Sequence, residues 1–235
     1  MKQMIVLIGN YGSGKTEIAI NLAVNAAAEG LRTLVIDLDK VNDDYFRMSD
    51  RVSLLADKQI RLVSPTFAGQ GVTPSSMSAA VASAFTDEWE LVVFDVGGDA
   101  AGALSLGRYH QDFAAFDGEL CVYDIVNVFR PMSESPEKIL KLKEEMEGFA
   151  RQKVTAFVNN SNLLNFASAD DLRRGYDVIA ETSRRSGIPV ALTTGRKECL
   201  EGFLADGRDP AYIGRPLALE TYMHRSWEAF TREGF

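Results

Sequence analysis

The stretch MIVLIGNYGSGKTEIAINLA, residues 4–23, decides the fold of this chain. It begins with an apolar run that is typical of a buried strand, and it leads into a segment with helical periodicity, residues 17–29, where Ile18, Leu22 and Ala26 share one face. Residues 9–16 lie between the two and fit the pattern GxxxxGK(S/T). A strand, a glycine-rich loop and a helix in this order predict a loop that binds phosphate groups. Residues 9–16 are called the phosphate loop below.

The residue types of the phosphate loop suit this chemistry. Glycines let backbone N–H groups curl around a phosphate without clashes of Cβ atoms, and the helix that follows directs its positive end at the same anion. The Lys15 side chain can reach the β- and γ-phosphates of a nucleotide, and the Thr16 hydroxyl can bind Mg²⁺. The predicted nucleotide contacts in the loop are Gly9, Asn10, Gly12, Ser13, Gly14, Lys15 and Thr16.

Apolar runs alternate with helical patterns along the rest of the chain. The predicted strands are residues 3–8, 33–38, 61–64, 91–96, 120–126, 154–158 and 189–193. The predicted helices are residues 17–29, 75–85, 100–116, 133–150, 169–186 and 216–232. The strands are continuously apolar, as in parallel sheets that are covered on both faces. We therefore expect an α/β fold, a doubly wound and mainly parallel sheet flanked by helices, in a single domain of residues 1–235.

Carboxylates follow two of the predicted strands. Asp37 and Asp39 are two residues apart, so their side chains point to one side. Asp95 ends a second apolar strand, which is the Walker B pattern of a residue that supports Mg²⁺, and Gly98 just after it would offer its N–H group to the γ-phosphate. Because the carboxyl ends of parallel strands meet at one crevice, we expect these groups beside the phosphate loop. The polar residues 39–57 predict a mobile switch segment.

Composition and charge argue against several classes of protein. The chain is 46% hydrophobic and 25% charged, as ordinary globular domains are, and no apolar stretch is long enough to span a membrane. Its net charge of −8 argues against nucleic acids and anionic membranes as partners. Cys121 and Cys199 have no metal-binding spacing, so two reduced thiols in a cytoplasmic protein are expected. Arg130 follows a predicted strand and either reaches the crevice or forms a structural salt bridge.

Four stretches together resemble a known family: IVLIGNYGSGKTEIAINLA (5–23), LVIDLDKVNDDYFR (34–47), LVVFDVGGDAAG (91–102) and FVNN (157–160). Their order and spacing are similar to those of the MinD/ParA-like branch of P-loop ATPases, and most of all to a group of bacterial ATP-binding proteins within it. That branch includes the nitrogenase iron protein and the cobyrinate-type amide synthases. The resemblance implies the P-loop NTPase fold, ATP and Mg²⁺ as ligands, and a hydrolysis cycle that signals to a protein partner.

The resemblance also implies roles for single residues. Asp39 would orient the attacking water, and Asp99 is its rival because DVGGD (95–99) is similar to the switch sequence DVxGD of the iron protein. Either Asn159 or Asn160 would read the adenine base. The residues implied in phosphate and Mg²⁺ binding are Lys15, Thr16, Asp37 and Asp95.

Three features depart from the family pattern. The signature lysine at the second position of the phosphate loop is Asn10 here, so a homodimer that shares its nucleotides across the interface loses a contact. The position of the iron protein's cluster cysteine is Gly102, so no bridging iron–sulfur cluster is expected. The C-terminal segment lacks the short basic amphipathic helix of membrane-anchored relatives, and residues 216–232 favour a packed helix instead.

Three functions fit these features. The leading hypothesis is an ATP-hydrolysing switch protein that acts on a protein partner. The alternative is a metabolic enzyme in which ATP activates a small carboxylate, as in the amide-synthase and dethiobiotin-synthetase relatives, which can also lack the signature lysine. The third is a nucleotide sensor without turnover. The carboxylates Asp37, Asp39 and Asp99 argue against a sensor, which has less need of them beside the phosphates.

Substitution of the phosphate-loop lysine tests the loop assignment. Lys15→Ala removes a charge-assisted contact with the phosphates, so the affinity for Mg²⁺–ATP should fall by about 2–3 kcal/mol, or about 30- to 150-fold. Isothermal titration calorimetry measures this affinity in both proteins. Equal binding by the wild type and the variant would refute the assignment.

Overall fold

The computed structural model describes residues 2–39, 48–64, 74–163 and 166–223. The strands are β1 Gln3–Ile8, β2 Thr33–Asp37, β3 Arg61–Val63, β4 Leu91–Asp95, β5 Glu119–Val126, β6 Ala156–Asn159, β7 Val190–Gly195 and β8 Arg215–Ala218. The α-helices are α1 Lys15–Ala28, α2 Val52–Asp57, α3 Pro74–Thr86, α4 Ala100–Gly107, α5 His110–Ala114, α6 Pro136–Ala150, α7 Ala169–Ser186 and α8 Lys197–Leu204. Met48–Arg51 and Pro210–Tyr212 are short 3₁₀-helices. No helix in these ranges is long and apolar enough to cross a membrane.

The strands form one sheet in the order β3-β2-β4-β1-β5-β6-β7-β8. Every neighbouring pair is parallel, and helices flank the sheet, so the predicted doubly wound α/β fold is confirmed. The chain winds outward in both directions from β1, which lies between β4 and β5. Ligands of such sheets bind at the carboxyl ends of the strands where the winding reverses, and here that place is the end of β1.

β1 is buried on both faces. Ile5 and Leu7 pack into a core cluster with residues of α1, whereas Met4, Val6 and Ile8 pack into a second cluster with residues of α4 and α6. All five side chains are buried. The continuous apolar run of the sequence therefore reflects two hydrophobic layers, one on each face of the sheet.

The register of the sheet aligns the carboxyl ends of its central strands. Asp37 of β2 pairs with Asp95 of β4, and Ile8 of β1 pairs with Asp124 of β5. The phosphate loop leaves β1 directly after Ile8. It is therefore flanked on both sides by acidic residues of the neighbouring strands.

The structure refines one prediction in the first half of the chain and corrects another. Residues 100–116, predicted to be largely helical, form two helices, α4 and α5. A Cβ at Gly107 would lie 2.4 Å from Phe149 O, so the end of α4 packs against α6 and the chain turns there. Of the predicted switch segment 39–57, the described part after Met48 is helical and not irregular, and residues 40–47 lie outside the described ranges.

The predicted helix over residues 216–232 is wrong in its described part. Strand β8 occupies Arg215–Ala218 and pairs in parallel with β7 at the edge of the sheet. Pro216 has no N–H group to offer a further strand, so it fits an edge position. Residues 224–235 lie outside the described ranges.

Candidate nucleotide-binding site

The phosphate loop is held between β5 and the residues that follow β4. Gly9 has φ +132°, and a Cβ there would lie 2.5 Å from Ile125 O in β5. A Cβ at Gly98 would lie 2.5 Å from Tyr11 N. Only glycine permits backbones to approach this closely. The structure therefore places the backbone of Gly98 against the phosphate loop.

The ammonium group of Lys15 lies inside the loop. It donates to the carbonyl oxygens of Gly9 at 3.1 Å and Asn10 at 2.9 Å, and the residue is 6% exposed. Burial lowers the pKa of Lys15, while Asp95 and other nearby carboxylates raise it. The hydrogen-bond acceptors of this buried cation are uncharged carbonyls. Phosphate oxygens carry negative charge, so the ammonium group is suited to bind them.

Thr16 and Asp95 supply oxygens of the kind that Mg²⁺ prefers. Thr16 Oγ1 donates to Asp95 Oδ2 at 2.7 Å, whereas Asp95 Oδ1 is buried without a hydrogen-bond partner among the described residues. Asp37 lies beside them and accepts from Asp39 N at 2.9 Å and from Ser64 Oγ at 3.0 Å. A buried carboxylate oxygen without a partner destabilises the protein unless a cation or its water binds there. The donor set therefore fits Mg²⁺.

The carboxyl groups at the ends of β2 and β4 repel one another. Burial, followed by repulsion from Asp95, raises the pKa of Asp37 to about 8. Burial also raises the pKa of Asp95 to about 6, although Lys15 and the hydroxyl of Thr16 lower it. A divalent cation between such groups favours their ionised forms and relieves the repulsion.

Asp39 and Asp99, the two candidates for orienting water, converge over Gly97. A Cβ at Gly97 would lie 3.2 Å from Asp39 Oδ1 and 3.5 Å from Asp99 Oδ1. Asp99 Oδ1 also accepts from Gly102 N at 2.8 Å and so caps the N-terminus of α4. The two carboxylates thus lie close to each other, and the carboxylate of Asp99 is held by its hydrogen bond to the N-terminus of α4.

Gly102 packs directly on Gly97. A Cβ at Gly102 would lie 2.5 Å from Gly97 Cα and 2.6 Å from Gly97 O. A cysteine at this position would push the residues after β4 away from α4, because no side chain fits between the two backbones. The residue that corresponds to the cluster cysteine of the iron protein is therefore a packing residue in this chain.

The asparagines at the end of β6 make contacts in different places. Asn160 Nδ2 donates to Ser13 O in the phosphate loop at 2.6 Å, and its Oδ1 accepts from Thr194 Oγ1 at 2.7 Å. Asn159 Nδ2 donates to Leu172 O in α7 at 3.2 Å. Successive strand residues point to opposite faces, so Asn160 borders the phosphate loop while Asn159 packs beneath α7.

Sequence reasoning missed Asp124. This residue of β5 is 6% exposed, and its Oδ1 lies 3.0 Å from a Cβ built on Gly9. Burial raises the pKa of Asp124 to about 7, although Lys15 and Lys143 lower it. The available signal was one charged residue inside the apolar run LCVYDIV, residues 120–126.

The middle of the phosphate loop contacts the turn after β5. Arg130 Nε donates to Gly12 O at 2.9 Å, and Asn10 Nδ2 donates to Pro131 O. Of the two interpretations of Arg130 from the sequence, the structure supports the contact at the crevice. Ser13 Oγ is buried and has no hydrogen-bond partner in the part of the chain that the structure describes.

Comparison with protein families agrees with this geometry. Residues 5–64 match the family described as CobQ/CobB/MinD/ParA nucleotide binding domain, and this segment contains the phosphate loop, Asp37 and Asp39. The resemblance to the MinD/ParA-like branch is confirmed. No curated protein matches the chain.

Solved structures of other proteins share this fold. The signal recognition particle receptor FtsY from Elizabethkingia anophelis is 19% identical with a TM-score of 0.55, over 86% of this chain and 65% of that one. Cell division protein FtsY from Thermotoga maritima is 17% identical with a TM-score of 0.59, over 85% of this chain and 63% of that one. The chain thus spans less than two thirds of the length of either protein. The likeness establishes the P-loop NTPase fold.

The pKa of Asp124 predicts a pH dependence of stability. Since the pKa rises from 3.8 to about 7 on folding, the folded protein binds more protons between these values, and the free energy of unfolding falls as pH rises through this range. Asp124→Asn has no titrating carboxyl group at this position, so its free energy of unfolding should not fall for this reason. Its stability relative to wild type should therefore increase from about pH 4 to about pH 7, as urea unfolding without nucleotide can measure.

The matched control is Asp57→Asn, which neutralises an exposed aspartate at the end of α2. A stability difference for Asp124→Asn that does not change with pH, or that changes equally in the control, would contradict this interpretation of Asp124.

Proposed function

We propose that this MinD/ParA-like protein is an Mg²⁺-dependent ATPase that acts as a switch on a protein partner. The observation that carries the proposal is the hydrogen bond from Thr16 Oγ1 to Asp95 Oδ2, with the buried and unpartnered Asp95 Oδ1 beside it. A hydroxyl and a carboxylate in this arrangement, next to Lys15, are the groups that a nucleotide with Mg²⁺ requires. When bound, Mg²⁺ would neutralise phosphate charge and polarise the γ-phosphate.

Asp39 is our candidate for orienting the attacking water. The carboxylates of Asp39 and Asp99 both lie near Gly97. Asp99 Oδ1 already accepts a hydrogen bond at the N-terminus of α4. The hydrogen bond from Asp39 N to Asp37 Oδ1 fixes the backbone of Asp39 relative to Asp37 and Asp95, the carboxylates that would support Mg²⁺. A carboxylate held at this place accepts a hydrogen bond from water and keeps the water oxygen directed at the γ-phosphate.

The segment after β4 links the site to an exposed surface. Gly98 contacts Tyr11 in the phosphate loop, and Asp99 caps α4. The side chains of Tyr11 and of Leu104 in α4 are 60% and 53% exposed. If the γ-phosphate contacts Gly98, its loss on hydrolysis displaces these exposed apolar side chains. A protein partner that binds them can then distinguish the ATP-bound state from the ADP-bound state.

Adenine is the proposed base. The chain has no NKxD sequence, the motif that guanine readers use, and Asn160 borders the phosphate loop. Guanine is the alternative base, because FtsY from Elizabethkingia anophelis has a structure in complex with GDP. This structure is 18% identical to the chain with a TM-score of 0.52. In competition against labelled ATP with Mg²⁺, unlabelled ATP should displace the label at lower concentration than GTP. The opposite order would overturn the choice of base and leave the phosphate site standing.

The alternative, an enzyme in which ATP activates a small carboxylate, has one observation in its favour. Asn10, at the position of the signature lysine, donates to Pro131 O of its own chain, so this side chain contacts its own subunit and not a partner's nucleotide. Relatives of the amide-synthase class can also lack the signature lysine. Turnover that requires an added small carboxylate would favour the enzyme. Nucleotide binding without single-turnover hydrolysis would identify a sensor instead.

Two aspartate variants test which carboxylate orients the water. Asp39→Asn keeps the shape and removes the charge, so kcat should fall by about 10²–10⁴-fold while the affinity for ATP stays nearly unchanged. Asp99→Asn should cost less, because asparagine can still cap α4. Single-turnover hydrolysis measures both rates, and Asp112→Asn, an exposed aspartate of α5, is the matched control. An inactive Asp99→Asn beside an active Asp39→Asn would reverse the assignment.

A further inference from the structure

A turn after β5, residues 127–133, is built around Arg130. Arg130 N donates to Asn127 O at 3.0 Å, and Ser133 N donates to Arg130 O at 3.1 Å. Asn127 is buried, and its Nδ2 donates to Asn162 O at 3.1 Å. The turn is therefore closed by its own hydrogen bonds and anchored beside the end of β6, which holds the backbone of Arg130 in one place.

Two contacts join this turn to the phosphate loop. Arg130 Nε donates to Gly12 O at 2.9 Å, and Asn10 Nδ2 donates to Pro131 O. Met132, the residue after Pro131, has φ +63°, a left-handed conformation that is uncommon for residues other than glycine. Strained backbone persists where surrounding contacts over-determine it, and it gathers at functional sites.

The guanidinium group of Arg130 keeps most of its donors for a ligand. Its Cζ lies 3.2 Å from a Cβ built on Gly12, which has φ +70°, so the group covers the middle of the loop. Only its Nε has a hydrogen-bond acceptor within the described residues, where no carboxylate forms a salt bridge with it. The remaining N–H donors form a planar fork that matches phosphate oxygens.

We propose that Arg130 is a catalytic residue that binds the phosphates of ATP from within its own chain and stabilises the charge of the transition state. The inference rests on the proposed ATPase function and adds a second cation to Lys15. Asn10, at the position of the signature lysine, holds the turn that carries this cation. The geometry thus gives one chain both positive charges, and hydrolysis needs no second copy to supply one.

This role requires no bond to Arg130. As the water oxygen forms its bond to the γ-phosphorus, the bond from that phosphorus to the bridging oxygen breaks, and the products are ADP, inorganic phosphate and one proton released to solvent. Negative charge moves toward the bridging oxygen during this step. The guanidinium stays protonated throughout, so Arg130 contributes charge and hydrogen bonds that strengthen in the transition state.

Binding of ADP alone and of ADP with aluminium fluoride, each with Mg²⁺, tests the proposal by calorimetry. Arg130→Ala should weaken the binding of ADP–aluminium fluoride by about 100-fold and the single-turnover rate by a similar factor, because both depend on transition-state charge. The affinity for ADP alone should change little. Arg130→Lys should be intermediate, since it keeps a charge but loses the planar fork and the Nε contact.

The matched control is Arg174→Ala, which removes an exposed guanidinium that lies over the ring of Phe129 in the same turn. Equal losses of ADP and ADP–aluminium fluoride affinity in Arg130→Ala, with a lower unfolding temperature, would show a purely structural clamp and overturn the proposal. Unchanged binding and rate would also overturn it. A wild type that binds ADP–aluminium fluoride no more tightly than ADP, and does not hydrolyse ATP, would reject the ATPase function itself and this inference with it.

Discussion

The burial of the Lys15 ammonium group at the end of β1 is the constraint on which the rest of the site depends. A buried cation needs oxygen partners, and its nearest acceptors are the carbonyls of Gly9 and Asn10. Charge compensation comes from the carboxylates of Asp95 and Asp124, which end or lie in the strands on either side of β1. The electrostatic environment of the phosphate loop is therefore set by strand order as much as by the loop sequence.

Local pattern was sufficient to predict β1, the phosphate loop and α1, because strand, loop and helix are specified there by residues adjacent in sequence. It was also sufficient to predict where the acidic strand ends gather, since all parallel strands of a doubly wound sheet end at one edge. The pairing of Asp37 with Asp95 across β2 and β4 agrees with that expectation.

Features that depend on contacts between distant segments were not determined by the sequence. The sequence left open whether Arg130 reaches the crevice, because Arg130 and Gly12 are 118 residues apart and nothing local marks their contact. Gly214, with φ +66°, packs against Ala191 of β7 just before strand β8, whereas residues 216–218 favour a helix when the sequence is taken alone. Asp124 is one charged residue in an apolar strand, and its role depends on Gly9 and Lys15, which the fold places beside it.

The phosphate loop is contacted at Gly9 by β5, at Tyr11 by Gly98 and at Gly12 by Arg130. Its backbone is thus held on three sides before any ligand binds, which reduces the conformational entropy that binding must overcome. The Gly98 contact differs from the other two because Asp99, the next residue, caps α4. In the proposed switch, a shift of Gly98 toward a γ-phosphate would therefore act on the start of a helix, whereas β5 and the anchored turn hold the other two contacts in place. A displacement of Gly98 would in this way be directed to α4, where Leu104 is exposed.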